Sequence, residues 1–236
     1  MIKTITAKEL VPFYIFILLG CLMLTHFGSR AITVMAENAP IEDRVRIVVD
    51  AGHGGIDSGA TSCSGVAESQ LNLEIAFRLR DLLHFLGHDT VMVRTTDTSI
   101  HTEGSTIAAQ KISDLKERAK LVNSTENSLL LSIHQNTFQD SRYSGAQVFY
   151  APDPESEELA KLLQSAMIQN LNPGSKRKSK PSDGIYLMQH IERPGLLIEC
   201  GFLTNPSEEA SLRNKEYQQK LCGVIATTVN RYLSKT

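Results

Sequence analysis

The chain contains no tryptophan, and its four cysteines, Cys21, Cys63, Cys200 and Cys222, form no CxxC pair and no zinc-knuckle spacing. That excludes a disulfide framework or a thiolate metal cluster as the organising principle, and the cysteines read as free thiols. Neither sign of charge is in excess. The 24 Lys and Arg set against 26 Asp and Glu leave a formal net charge of −2, so the broad basic field of a nucleic-acid binder is missing. There is no internal repeat. Apolar residues make up 42% of the chain and charged residues 21%, the balance of an ordinary soluble core. Long uncharged apolar runs are also missing, with one exception.

That exception is "LVPFYIFILLGCLML", Leu10 to Leu24, preceded by Lys3 and Lys8. It has the length of a signal-peptide core and is short for a full span. "VMA", ending at Ala36, has the small-residue form of a cleavage site. "LLGC" loosely resembles a lipoprotein box, but further apolar residues follow it. The expectation is a signal peptide or membrane anchor over residues 1–36, a polar linker over 37–44, and one folded domain over 45–236. That domain is exported and works outside the cytoplasm, with membrane contact through the N-terminal segment if it is retained.

Beyond Val45, apolar runs alternate with amphipathic stretches. "VRIVVDAG" reads as a buried strand entering a glycine turn. "LNLEIAFRLRDLLHFLG" has helical spacing and a closing Gly87. "DTVMVRTT" is a second strand, and "ISDLKERAKLVN" a helix with Ser113 as candidate N-cap. "SLLLSIH" and "GAQVFYA" are strands. "DPESEELAKLLQSAMIQNL" is a helix with acidic residues in its first turn, where the dipole favours them. "NPGSKRKSKP", residues 172–181, reads as a loop, "GIYLM" and "PGLLIEC" as short strands, and the C-terminal stretches as helices. Such alternation predicts an α/β fold with a largely parallel central sheet flanked by helices.

"DAGHGGIDSGA", residues 50–60, carries four glycines around His53. It matches neither G-x-G-x-x-G nor G-x-x-x-x-G-K-[ST], no lysine follows, and Asp57 repels a phosphate. In open parallel sheets, ligands bind beyond the carboxyl ends of the strands. His53 lies just past one such end, His134 ends "LLLSIH" and Glu199 ends "GLLIE". Taken singly, each has a bland reading. A lone histidine there is more often a hydrogen-bonded structural residue, and Glu68 can serve only a helix start. His84, His88, His101, His190 and His26 are left with that structural role. Together, two histidines and one or two carboxylates at one rim suit zinc with an open position. Cys200 as a nucleophile is the weaker alternative, because no third group evidently orients His134 toward it.

Five stretches in order, "VVDAGHGGIDSGA", "ESQLNLEIAFRLRDLL", "VRTTD", "LSIHQN" and "LLIECGFLTN", resemble the successive motifs of the zinc-dependent N-acetylmuramoyl-L-alanine amidases. The resemblance covers roughly residues 45–232. It implies zinc held by His53, Glu68 and His134, with Glu199 catalytic, and a peptidoglycan substrate. The reaction it implies is hydrolysis of the amide between N-acetylmuramic acid and L-alanine. Asn136 becomes a candidate for orienting the site or touching substrate, set against simple turn capping. The stretch from Asp97 to Leu115 is longer than in many relatives. It resembles the germination-specific, spore-cortex subgroup, whose products feed muramic-δ-lactam formation. The alternatives are a non-catalytic wall-binding protein and a zinc peptidase or deacetylase of the same polymer. An accessory activator protein remains open.

Overall fold

The run Ile47–Val49 is β-branched and has no polar alternation, the pattern of a strand covered on both faces. The computed structural model, which describes residues 44–235 together with Phe16, Leu18 and Met23, makes it the buried middle of β1, Arg46–Ala51. The expected export segment, and the linker up to Arg44, otherwise fall outside the described residues. Among the described residues no helix is long and apolar enough to cross a membrane.

Five more strands follow: β2 (Thr90–Met92), β3 (Ser128–Asn136), β4 (Gln147–Tyr150), β5 (Lys180–Pro181) and β6 (Gly195–Phe202). They form one sheet in the order β2-β1-β3-β6-β4-β5. The pairs β1–β2, β1–β3, β3–β6 and β4–β5 are parallel, and β4–β6 is antiparallel. The expected largely parallel α/β sheet is therefore present, with its direction reversed between β6 and β4.

Six helices cover it: α1 (Glu68–Phe85), α2 (Ile107–Ser124), α3 (Pro154–Asn170), α4 (Tyr186–His190), α5 (Pro206–Arg213) and α6 (Lys215–Leu233). One face of the sheet packs against Leu71, Ile75 and Leu79 of α1, Leu163 of α3, and Ile225 and Val229 of α6. The other packs against Ala119 and Val122 of α2 and Leu187 and Met188 of α4. Each fully buried side chain of this kind contributes about 1.5–3 kcal/mol over its exposed state, so both helix layers hold the sheet.

Two local expectations are corrected. "GIYLM" does not form a strand: Tyr186–His190 is a short helix, closed by the stacked rings of Tyr186 and His190, 3.8 Å between centroids. A short apolar run has no period long enough to separate the two states, and β5 has already filled the edge of the sheet. Likewise Ser113 does not cap α2. The cap is Thr106, which accepts from the Ala109 N–H, while the Ser113 hydroxyl accepts from the backbone N–H groups of Thr102 and Glu103. The basic loop of residues 172–181 is a loop as expected, except that its last two residues form β5.

Candidate active site

The chain leaves β1 through Gly52, where a Cβ would lie 2.1 Å from His134 Nε2. No residue with a side chain fits there without moving the imidazole. His53 follows with φ of 61°, a left-handed conformation costly for a residue that carries a Cβ and found where the surrounding structure over-determines it, often at functional sites. Two arginines hold it. Arg118 donates to the carbonyls of Ala51 (3.0 Å) and His53 (2.8 Å), and Arg94 to those of Ala51 (2.8 Å) and Gly52 (3.1 Å). Arg118 is buried, with Asp50 and Asp114 as its ion pairs. Burial alone would raise the Asp50 pKa, but the Arg118 charge and the Ser132 hydroxyl outweigh it and hold the carboxyl below its ordinary range.

Against this turn stands Glu68, the first residue of α1 and 3% exposed. Its Oε2 lies 3.3 Å from His53 Nε2, and its Oε1 lies 3.1 Å from His134 Nδ1. The same carboxylate accepts from the N–H groups of Ala60 (3.0 Å) and Gln135 (3.1 Å) and from the Asn72 amide (3.3 Å). Burial would favour the neutral acid; the two histidines reverse that and push the Glu68 pKa well below the usual carboxylate range. His53 has a second carboxylate on its other nitrogen, Asp57 Oδ2 at 3.0 Å, and Asp57 is in turn paired with Lys111 at 2.7 Å. Burial lowers the His53 pKa, but Glu68 and Asp57 more than compensate and raise it to about 9.

His134 and Glu199 do not end their strands as expected. Both sit inside them, directly opposite each other in the β3–β6 pairing, and the ladder runs on to Asn136 and Phe202 after a register shift. At that shift the Gln135 N–H turns to Glu68. Glu199 is partly covered as a residue, yet its Oε2 is shut off from solvent and has no hydrogen-bond partner among the described residues. Burial, reinforced by the Glu68 charge and opposed by the two histidines, lifts its pKa to about 7.

The donor set suits a metal. His53, Glu68 and His134 each offer a ligand atom, all within 4.8 Å of one another, and no other His, Cys, Asp or Glu trio among the described residues does so. Two imidazoles and one carboxylate are a three-ligand set that leaves a coordination position open. Gly59, at φ 67°, keeps the space clear: a Cβ there would come within 2.6 Å of Glu68 Oε2 and 2.7 Å of His53 Cδ2.

Other expectations can be placed. Asn136 lies at the end of β3; its carbonyl accepts from the Leu203 N–H, and its side chain makes no hydrogen bond to the described residues. Cys200 is fully buried beside Glu199 and donates to the Ile198 carbonyl, and burial pushes its thiol up, which disfavours a nucleophile. Cys63, Cys200 and Cys222 are free thiols; Cys21 lies outside the described residues. His84, His88 and His101 are engaged by Thr90, Asn230 and Ser99. The residues not foreseen are Asp57 as a partner of His53, Lys111 behind it, and the arginine clamp. Asp57, four residues after His53 in the glycine turn, was the one visible signal.

Residues 47–231 match the sequence profile described as N-acetylmuramoyl-L-alanine amidase. A germination-specific N-acetylmuramoyl-L-alanine amidase of Bacillus subtilis is 40% identical over 198 residues, covering 83% of this chain and 82% of that protein. Among solved structures, the CwlD amidase from Clostridioides difficile, in complex with the GerS lipoprotein, is similar with a TM-score of 0.78 and 36% identity. That match covers 82% of this chain and all of that one. An N-acetylmuramoyl-L-alanine amidase from Clostridium difficile 630 gives a TM-score of 0.72 at 31% identity, over 82% of this chain and 99% of the other.

Proposed function

The chain belongs to the N-acetylmuramoyl-L-alanine amidase family, and from that premise we propose a peptidoglycan hydrolase that uses zinc held by His53, Glu68 and His134. It cleaves the amide between the lactyl group of N-acetylmuramic acid and the L-alanine of the stem peptide. The observation that carries this reading is Glu199 Oε2, a buried carboxylate oxygen with no partner among the described residues, directly across the strand pair from His134. Zinc, when bound, supplies Lewis acidity toward the amide carbonyl and lowers the pKa of a coordinated water to about 7.

The chain's own residues do the rest. Glu199, poised near neutrality, takes a proton from the attacking water and returns it to the leaving amine nitrogen, a role worth roughly 10²- to 10⁴-fold. Asp57 accepts from His53 Nδ1 and so leaves Nε2 on the Glu68 side as the ligand atom. The Asn136 amide, without a partner among the described residues, is a substrate contact rather than a turn cap. The test is Glu199→Gln, assayed on purified peptidoglycan with identification of the products. Turnover should fall by about 10²–10⁴-fold while one zinc per chain is retained, and the wild-type products should be free peptides beginning with L-alanine. Near-normal turnover removes Glu199 from the mechanism. New sugar amines would mean a deacetylase, shortened peptides a peptidase, and no product a wall-binding protein.

The similarity to a germination-specific amidase supports a role in spore cortex, in which the peptide-free muramic acid is the substrate for a deacetylase that closes muramic-δ-lactam. Deleting the gene should leave spores that form, lack the lactam and germinate poorly. A wall substrate supports export by residues 1–36, as signal or anchor, with the catalytic domain beginning at 45. The lipoprotein complex of the similar CwlD amidase supports an accessory partner for this chain as well.

A further inference from the structure

The loop between α3 and β5, with the first residue of β5, carries four cations in five positions, Lys176, Arg177, Lys178 and Lys180. With Tyr143 and Gln147 it lines an open groove of about 1010 Å³. The lysine ion pairs of the described residues are made by Lys111, Lys120 and Lys161, and none by the three lysines of this loop. The acid behind Gly145, Glu208, has one oxygen engaged by the Gly145 N–H (2.8 Å) and the other by the Phe202 N–H (2.9 Å). Glu208 keeps its charge but lies behind the backbone, and the residues that line the groove include four cations and no Asp or Glu, in a chain whose net charge is −2.

Arg177 is built in more firmly than its neighbours. Its guanidinium lies 4.8 Å over the Phe202 ring, Nε donates to the Ser144 carbonyl (2.9 Å), and Nη1 donates to Gln147 Oε1 (3.2 Å). That fixes the plane and leaves Nη2 without a partner among the described residues. Gln147 is the β4 residue opposite Glu199. A fixed guanidinium thus stands one strand away from the carboxylate assigned to the chemistry.

We infer that this groove receives the peptide arm of the substrate, with Arg177 and the loop lysines recognising its carboxylates. The inference rests on the amidase reading given above. A peptide released with a new amine at one end carries at least one carboxylate at the other, and the planar fork of Arg177 matches that group. A neutral glycan arm gains nothing from four cations. The peptide therefore lies toward the β4–β5 edge and the sugar on the opposite side of Glu199.

The test uses the full chain and two forms of one muramyl peptide, with its carboxylates free or amidated. Wild type should favour the free acid by about tenfold in kcat/KM, the size several part-exposed ion pairs give together, with the difference in KM. In K176A/K178A/K180A, and separately in Arg177→Gln, that ratio should fall toward one. Equal use of both forms by wild type, or a ratio that survives both variants, overturns the inference. The released peptide, acid or amidated, is also titrated against wild type without turnover. Tighter binding of the acid form supports the groove and equal binding overturns it, so hydrolysis of neither substrate counts against the amidase reading alone.

Discussion

Two segments border the candidate site, and they are built in opposite ways. The turn after β1 is gripped from beneath, because Arg94 and Arg118 turn buried guanidinium groups onto the carbonyls of Ala51, Gly52 and His53. The loop before β5 is solvated, and its lysines are exposed; it is held chiefly by Arg177 and by the Gln147 amide donating to the Lys178 carbonyl. The difference follows from what each must do. Ligands to an ion need positions fixed within about 0.5 Å, and a left-handed His53 stays in place only if its surroundings over-determine it. Attraction to a flexible anion needs charge nearby but little rigidity.

Changes to the gripped side should then cost stability and metal together, and changes to the loop should cost neither. The largest effect is expected for Arg118→Met, which leaves Asp50 buried without its cation. A loss of about 3–5 kcal/mol, read from denaturant midpoints and accompanied by lower zinc content, is the expected outcome; a stable variant with full zinc breaks the comparison. The next concerns pH. The folded pKa of Asp50 is lowered, so its contribution is present above the unfolded value of about 3.9 and is lost as pH falls through the folded value. Stability measured from pH 6 down to pH 2 should drop at the acid end, and a flat profile would show that Asp50 is not held by Arg118 in solution. Asp57→Asn, which removes the charge behind His53, should weaken zinc affinity by about 10–100-fold while the fold survives; an unchanged dissociation constant assigns no such role to Asp57. Smallest of all, Lys178→Ala should shift stability by no more than about 0.5 kcal/mol, checked by thermal melting.

The contrast also explains what could be read in the sequence. β1, β3 and β6 were legible because strands covered on both faces are continuous apolar runs, and His53, His134 and Glu199 were legible as polar groups that interrupt or follow them. The start of α2 was not. Ile107 and Ile112 are 53% and 52% exposed, so the apolar residues of its first turns do not mark the buried face, and the helix begins five residues ahead of the predicted stretch at Ile112. Tyr186–His190 failed for want of length. The arginine clamp failed for another reason: Arg118 reaches Asp50 across 68 positions and Lys111 reaches Asp57 from a different element. No local pattern encodes such pairings, since they arise only when α2 packs onto the sheet.

The register shift in β6 reaches further than the Gln135 N–H it frees. One residue of β3 lies between His134 and Asn136, whereas two residues of β6, Cys200 and Gly201, lie between their partners Glu199 and Phe202. In an unbroken strand, residues three apart point to opposite sides. The added residue resets the phase, so that Phe202 emerges on the same side as Glu199 rather than behind it. The ring under Arg177 thus faces the chemistry because β6 miscounts by one. Straightening that bulge with both residues kept would turn the floor of the basic groove away from the carboxylate it serves, whereas deleting Gly201 would leave Phe202 two residues from Glu199 and on its side.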